Sequence, residues 1–435
     1  MTSTLKQVAV PQLGECRYAS PLRRSVRRGE GVGQFVQDGT WVRNAVEVGP
    51  ESSAEELLFE RAGPRQKLFF DPTQSRAAIL TAGGLCPGIN NVVRSLFVEL
   101  YFQYGIAEVL GIRDGYLGLN PDKGRPPVKL TRDWVSDIHR DGGTHLGTSR
   151  GPQDAGVMVD FLQRERTNLL FCVGGDGTHR GAHAIAEEAQ RRRYPLAVVG
   201  IPKTIDCDIL YCDRTFGYTT AVEKAHEVLH LAHTEARAVP RGIGLVRLMG
   251  RESGFIACGA TLVCQEVNFT LIPEVPFVLH GERAFLAALD QRMAARGHAV
   301  IAVAEGAGQD LFSGDAGTDA SGNRKLHDIG PFLKQQIVDY FKAKDRPVEL
   351  KYIDPSYIIR SVPANAEDAF LCDFLARCAC HAALAGRTDL MIGFRNNTYI
   401  HVPIPMAVER KRRVNPGGDL WSAVVSATGQ PPRFG

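Results

Sequence analysis

No stretch of this sequence approaches the roughly 18 consecutive apolar residues that a membrane-crossing helix needs. The N-terminus carries no signal-peptide hydrophobic segment. Cysteine is not scarce, at ten residues, but metal-ligand spacing is absent: there is no Cys-x-x-Cys. Cys378 and Cys380 are one residue apart in a helical pattern and so point to different faces. Cys172, Cys258 and Cys264 sit in apolar runs, where a thiol behaves as a small hydrophobe. Reduced thiols, a cytoplasmic location and no membrane partner are therefore expected. Charge of one sign is lacking too, with a net +3 over 435 residues. The basic clusters (Arg23, Arg24, Arg27 and Arg28; Arg191 to Arg193; Arg410 to Arg413) are short and scattered. They read as solvated faces or edges of anionic-ligand sites, and argue against nucleic acid as a partner. The glycine-rich segment Gly83–Gly88 matches neither a P-loop nor a dinucleotide fingerprint.

What is present is ordinary globular material, 44% hydrophobic and 23% charged, long enough for two or three domain-sized units. Residues 1–70 are polar and weakly periodic and read as an extension, in part ordered against the body. From Ala77 the texture changes. Ala77–Leu80 reads as a strand, Gly83–Gly88 as a glycine turn, and Asn90–Tyr104 as a helix. Further strands are expected at 109–112, 169–173, 196–201, 243–248 and 299–304. Helices are expected at 180–193, 219–236, 254–263 and 366–384. Alternating strands and helices imply parallel sheets flanked by helices, in more units than one lobe can hold. Asp310–Asn323, rich in Gly, Asp and Ser, reads as a mobile loop.

Two segments concentrate the chemistry. Gly174-Gly175-Asp176-Gly177-Thr178 ends one buried strand, and Pro202-Lys203-Thr204-Ile205-Asp206-Cys207-Asp208 ends another. In open parallel sheets, ligands bind at such strand ends. Asp176 between glycines suits a magnesium–phosphate group, the glycines clearing room, although a plain helix N-cap turn would also use Thr178. Asp206 and Asp208, if extended, face one side, one to assist an ion and the other to accept a proton; an Asp-rich turn is the plainer reading. The Gly83–Gly88 turn could cradle phosphate or merely need positive φ. Trp134 reads as packing or surface and not as a site residue. His139 and His145 flank the Gly142-Gly143 turn with no metal partner in sight. His179 and His183 are spaced i, i+4 without a third zinc ligand.

Eight motifs then occur in order. They are Gly83-Gly84-x-x-Pro87-Gly88-x-Asn90, Ile112-Arg113-Asp114-Gly115-Tyr116-x-Gly118, Gly147-Thr148-Ser149-Arg150, the two segments above, Met249-Gly250-Arg251-x-Ser253-Gly254, Ile272-Pro273-Glu274 and Ala304-Glu305-Gly306. Together they resemble the 6-phosphofructokinases, particularly the long ATP-dependent forms of plants and trypanosomatids, over roughly residues 70–400.

The resemblance implies two Rossmann-like lobes, each a mostly parallel sheet flanked by helices. A nucleotide-binding lobe would take 71–215 plus 361–393, and a fructose 6-phosphate lobe 216–360 plus 394–435. Asp206 would be the base and Asp176 the holder of magnesium, supported by Asp208. Gly84, Arg150, Gly177 and Thr178 would line the ATP phosphates. Thr204, Ile205, Met249, Gly250, Arg251 and Glu305 would hold fructose 6-phosphate. Tyr357 and Arg360 would grip its 6-phosphate, with Lys351 reaching in from a neighbouring copy of a homodimer or homotetramer. Allosteric control is also implied. The donor is implied by Gly177, where pyrophosphate-dependent members carry aspartate; Lys203, which those members share, points the other way. A pyrophosphate-dependent enzyme and a non-catalytic sugar-phosphate-binding subunit are the alternatives. NAD and lipid kinases share Gly-Gly-Asp-Gly-Thr but not the Asp206–Asp208 and Met249–Arg251 segments. Cys207 replaces the usual Asn, and Arg241 stands one residue out of register with an arginine that the short bacterial forms use across a subunit interface.

Overall fold

The computed structural model describes residues 4–25, 33–47, 55–314, 317 and 325–435. The chain divides into two units. The first comprises residues 1–204, 209–217 and 362–410; the second comprises 205–208, 218–361 and 411–435.

The first unit is built on a seven-stranded sheet. Its strands run in the order Thr398–Pro403, Leu390–Arg395, Ala197–Pro202, Leu169–Gly174, Arg76–Thr81, Glu108–Ile112 and Val128–Lys129. The two outermost strands are antiparallel and the rest parallel. The central strands Leu169–Gly174 and Ala197–Pro202 are buried at every position. That is why they read as unbroken apolar runs and not as alternating ones. The helices Ile89–Val98, Asp176–Arg191 and Ala366–Leu384 belong to this unit.

The strand Thr398–Pro403 had been expected with the second lobe. It instead folds back on Leu390–Arg395 through Asn396 and Asn397, both left-handed at φ 50° and 57°. Two such residues make the tight hairpin turn whose twist matches the strands, so the returning strand has no choice of sheet. The N-terminal extension contributes strands and is partly ordered against the first unit's body. Thr4–Val8 pairs parallel with Glu55–Glu60, which pairs antiparallel with Trp41–Arg43. Phe59 is fully buried in the first unit's core, and the Ala62 N–H donates to the Tyr399 carbonyl.

The second unit carries a four-stranded parallel sheet, ordered Phe269–Leu271, Ala299–Ala304, Gly242–Leu248 and Glu349–Ile353. Its core gathers Leu245, Ile301, Phe285, Phe341 and Phe434. Part of the expected mobile loop, 315–316 and 318–323, lies outside the described residues. So do Arg27 and Arg28 of the first basic cluster. Among the described residues, no helix is long and apolar enough to cross a membrane. All ten cysteines are free thiols, Cys16 partly exposed and the others buried.

Candidate active site

In the first unit, three adjacent parallel strands deliver their following loops to one end of the sheet. Gly83 and Gly84 follow Arg76–Thr81, Gly175–Thr178 follow Leu169–Gly174, and Lys203 follows Ala197–Pro202. Backbone hydrogen bonds fix their mutual register: Ala82 N donates to the Val173 carbonyl and Lys203 N to that of Gly174. The Lys203 Nζ donates to the Gly84 carbonyl at 2.6 Å, and Thr148 Oγ1 to the Gly83 carbonyl at 2.7 Å. A cation and a glycine turn at φ +86° are thus bound into one loop cluster. Arg150 stands exposed three residues beyond Gly147, whose carbonyl accepts Thr81 Oγ1.

The helix after the second strand begins four residues earlier than its periodicity suggested, at Asp176. Its N-cap is Gly175, which supplies no side-chain cap; Thr178 is therefore not the cap. Asp176, Gly177 and Thr178 form the first turn, where backbone N–H groups lack helical partners and the helix dipole favours anions. The glycines have separate reasons. A Cβ on Gly174 would lie 2.1 Å from Thr178 Oγ1, so that glycine makes room for the chain's own threonine. A Cβ on Gly177 would meet nothing within 4 Å. Only Gly177 opens outward from the turn.

The second unit holds the other segment. Ile205–Asp208 belongs to it although Thr204 and Ile209 belong to the first. The segment is not extended: Cys207 is left-handed, at φ 54°. Asp206 is partly exposed as a residue, but its Oδ1 is shut off from solvent. Burial, then the Asp208 and Glu305 carboxylates, push Asp206 up to about 8, against the opposing pull of Lys411 and of the Arg251 backbone N–H. Desolvation among like charges makes it a stronger proton acceptor than an ordinary carboxylate.

Adjacent strands bring the remaining residues together. Gly242–Leu248 ends at Met249–Arg251 and Ala299–Ala304 at Glu305. Glu305 N donates to the Leu248 carbonyl, and Gly306 N to that of Gly250. This approach is close enough that a Cβ on Gly306 would strike the Arg251 carbonyl. Ser253 Oγ donates to the Asp206 carbonyl at 2.9 Å, tying the two loops. Burial raises Glu305, while Arg247, Arg251 and Arg360 draw it back. Arg247, which sequence reasoning missed, bridges Glu305, Asp354 and Asp328 at 3.3–3.5 Å. Its position two residues before Met249, on an otherwise buried strand, was the available signal.

Tyr357 is exposed, and the Arg360 guanidinium lies 5.1 Å over its ring. The Arg360 Nε is buried and finds no hydrogen-bond partner among the described residues. Lys351 stands exposed on the edge strand and pairs with Glu349 at 2.8 Å. Arg241 is engaged within its own unit, donating to the carbonyls of Arg346 and Pro347 and lying over Phe341. The cluster Arg410–Arg413 is only partly a solvated face. Lys411 pairs with the buried Asp208 at 2.6 Å, and Arg412 donates to Cys207.

The histidines take packing and pairing roles. His179 is fully buried over Gly200 and bonds the Gly175 carbonyl; His183 pairs with Asp389 at 2.9 Å. Trp134 packs edge-on to His145, which pairs with Asp141.

Each unit supplies groups that suit a phosphotransferase acting on a phosphorylated substrate: a glycine-opened helix terminus beside an aspartate in the first, and in the second a shielded carboxylate near Glu305 and the arginines that draw on it. The family model described as Phosphofructokinase matches residues 76–383, and the chain belongs to the phosphofructokinase family, with phosphofructokinase-type phosphotransferase activity on fructose 6-phosphate. It is 44% identical to an ATP-dependent 6-phosphofructokinase of Borreliella burgdorferi, over 97% of this chain and 96% of that one. A protein of the same description from Amycolatopsis methanolica is 43% identical, over 100% and 97%. That of Trypanosoma brucei brucei is 45% identical, over 86% and 77%. The fold is that of a pyrophosphate-dependent phosphofructokinase from Nitrosospira multiformis, with TM-score 0.67 at 17% identity over 79% and 86% of the chains.

Proposed function

We propose that this chain transfers the γ-phosphoryl group of Mg-ATP to O1 of fructose 6-phosphate. The observation that carries the choice of donor is the open space at Gly177, in the first helical turn beside Asp176. A donor bulkier than pyrophosphate needs that space free of a carboxylate. The curated relatives at 41–45% identity, described as ATP-dependent, support the same donor. Lys203, bound to the Gly84 carbonyl, suits either donor, because an ammonium attracts phosphate without excluding nucleotide.

Each group then has a task. The first-turn N–H groups, Gly84, Arg150 and Thr178 bind the donor phosphates. Asp206 accepts the proton of the sugar 1-hydroxyl. Thr204, Ile205, Met249, Gly250, Arg251 and Glu305 orient the sugar. Tyr357 and Arg360 take the 6-phosphate, the unpartnered Arg360 Nε being suited to an anion. Exposed Lys351 suits a contribution to the site of a neighbouring copy.

The residues fit magnesium. Among the described residues, no three His, Cys, Asp or Glu side chains are arranged to hold an ion by themselves. The magnesium of phosphoryl transfer needs no such cage, since it takes one or two carboxylates and completes its shell from phosphates and water. Asp176 would hold it, and bound there it would neutralise charge on the donor phosphates. Asp208, already paired with Lys411, is the weaker candidate. Steady-state turnover of fructose 6-phosphate with ATP and with pyrophosphate tests the reading. ATP-supported turnover is expected to dominate; turnover with pyrophosphate alone overturns it.

A further inference from the structure

The loop that carries Asp206 is an anomaly of the chain path. Its four residues belong to the second unit, yet both of its chain neighbours belong to the first. Cys207 sits at φ 54°, a conformation that non-glycine residues other than Asn, Asp and His seldom adopt. Besides Ser253, which donates to the Asp206 carbonyl, the loop has partners in a segment more than 200 residues later, where the chain re-enters the second unit at Lys411.

The contacts of that segment are consecutive. Lys411 Nζ donates to Asp208 Oδ2 at 2.6 Å. Arg412 N donates to the Asp208 carbonyl at 2.8 Å. Arg412 Nη1 donates to the Cys207 carbonyl at 3.2 Å and lies 3.0 Å from its Sγ. The Arg412 guanidinium stacks 4.5 Å over Phe255, which locks the rotamer that makes these contacts. Val414 N donates to Glu274 Oε1, the same oxygen that accepts from Gly254 N, where the Met249–Gly254 segment ends. One dipeptide, Lys411-Arg412, thus anchors the loop by side chain and backbone, and Val414 two residues on anchors the segment to the sugar-side loops.

We infer that Lys411 and Arg412 are positioning residues for phosphoryl transfer, clamping Cys207 and Asp208 so that the Asp206 carboxylate is held ready while the sugar is bound by other groups. Arg412 does for Cys207 what a residue at ease in the left-handed region would do unaided. The clamp holds Cys207 and Asp208, which follow Asp206, whereas Thr204 and Ile205 precede it, so its loss is expected to fall more on turnover than on sugar affinity. Small displacements of a reacting group cost rate steeply, whereas binding through remote contacts survives.

The test uses the full-length chain and rests on the fructose 6-phosphate reading, so Asp206→Ala is run alongside as a control. Lys411→Met and Arg412→Met, which keep the apolar stems, are expected to lower kcat about 10- to 100-fold with KM for fructose 6-phosphate within about threefold. Lys411→Arg is expected to recover most of the Lys411→Met loss. Adding Cys207→Asn to Arg412→Met is expected to regain turnover, because Asn accepts the left-handed conformation. If both Met variants retain wild-type kcat, or KM rises in step with the fall in kcat, the clamp has no positioning role. If Arg412→Met does not fold, the folded Lys411 pair still decides, since equal turnover of Met, Arg and Lys at that position overturns the inference. If Asp206→Ala itself turns over normally, it is the assignment of the base that falls, which separates the two failures.

Discussion

Replacing Gly177 by aspartate isolates the donor question, because the structure removes the competing explanations. A Cβ at this position meets nothing within 4 Å, so the new side chain fits without displacing a neighbour. Gly177 is the second residue of the helix Asp176–Arg191, and its φ is not positive, so backbone strain does not arise. An acid in the first turn of a helix is favoured by about 0.3–1 kcal/mol, and losing a helical glycine helps slightly more. The variant is therefore expected to melt no lower than the parent. What remains is charge. A carboxylate about 4 Å from a donor phosphate, at an effective dielectric near 20, opposes it by about 4 kcal/mol, and at twice that dielectric by about 2 kcal/mol. These values correspond to roughly 30- to 1000-fold in kcat/KM for ATP. The assay is steady-state turnover against ATP and pyrophosphate at saturating fructose 6-phosphate, with Gly177→Asn as the uncharged control. ATP turnover is expected to collapse in the Asp variant and to change far less in the Asn variant. Equal losses in the two variants would trace the effect to bulk. An ATP kcat/KM within threefold of the parent for Gly177→Asp would refute the donor argument altogether.

Other consequences are more direct. Asp206→Ala is expected to lower turnover by about 10²- to 10⁴-fold with sugar binding retained, measured by steady-state kinetics and direct titration; near-parental kcat removes Asp206 as the base. Arg251→Ala is expected to raise the KM for fructose 6-phosphate by about 10- to 100-fold, the worth of a charge-assisted contact, and an unchanged KM ends that role. Gly174→Ala places a Cβ 2.1 Å from Thr178 Oγ1, and overpacking of this kind costs about 1–3 kcal/mol in urea unfolding. No measurable loss would mean that Thr178 repacks freely. His381, buried against Tyr104, is held down to about 3 from 6.5 by desolvation, then by nearby arginines. Between those values the unfolded chain binds the proton and the fold does not, so stability falls as pH drops through this window. His381→Gln is expected to reduce that pH slope by up to about 1.4 kcal/mol per pH unit; an identical slope shows that His381 titrates normally in the fold.

Much of the molecule was legible because its signals are local. Strands buried on both faces must be apolar throughout, and Leu169–Gly174, Ala197–Pro202 and Ala299–Ala304 were found within a residue or so of their ends. The helix Ala366–Leu384 was found to the residue; in the structure Asn365 caps it with a side chain that accepts from Asp368 N. The helix beginning at Asp176 was read late because its cap is a glycine, which leaves no polar signature. The glycines of Gly174–Thr178 looked equivalent in sequence, and only packing separates Gly174, filled by Thr178, from Gly177, which faces open space.

By itself, the order of motifs determined the phosphofructokinase family, the parallel α/β architecture and the identity of the candidate groups, because each motif is a short run whose chemistry is written in adjacent residues. Tertiary structure alone decided which sheet receives Thr398–Pro403, which unit owns Ile205–Asp208, and that Arg247, Lys411 and Arg412 stand among the carboxylates. Those outcomes depend on pairings between residues tens to hundreds of positions apart. A charged side chain within a basic run carries no mark of the buried carboxylate it will neutralise until the chain has folded back to meet it.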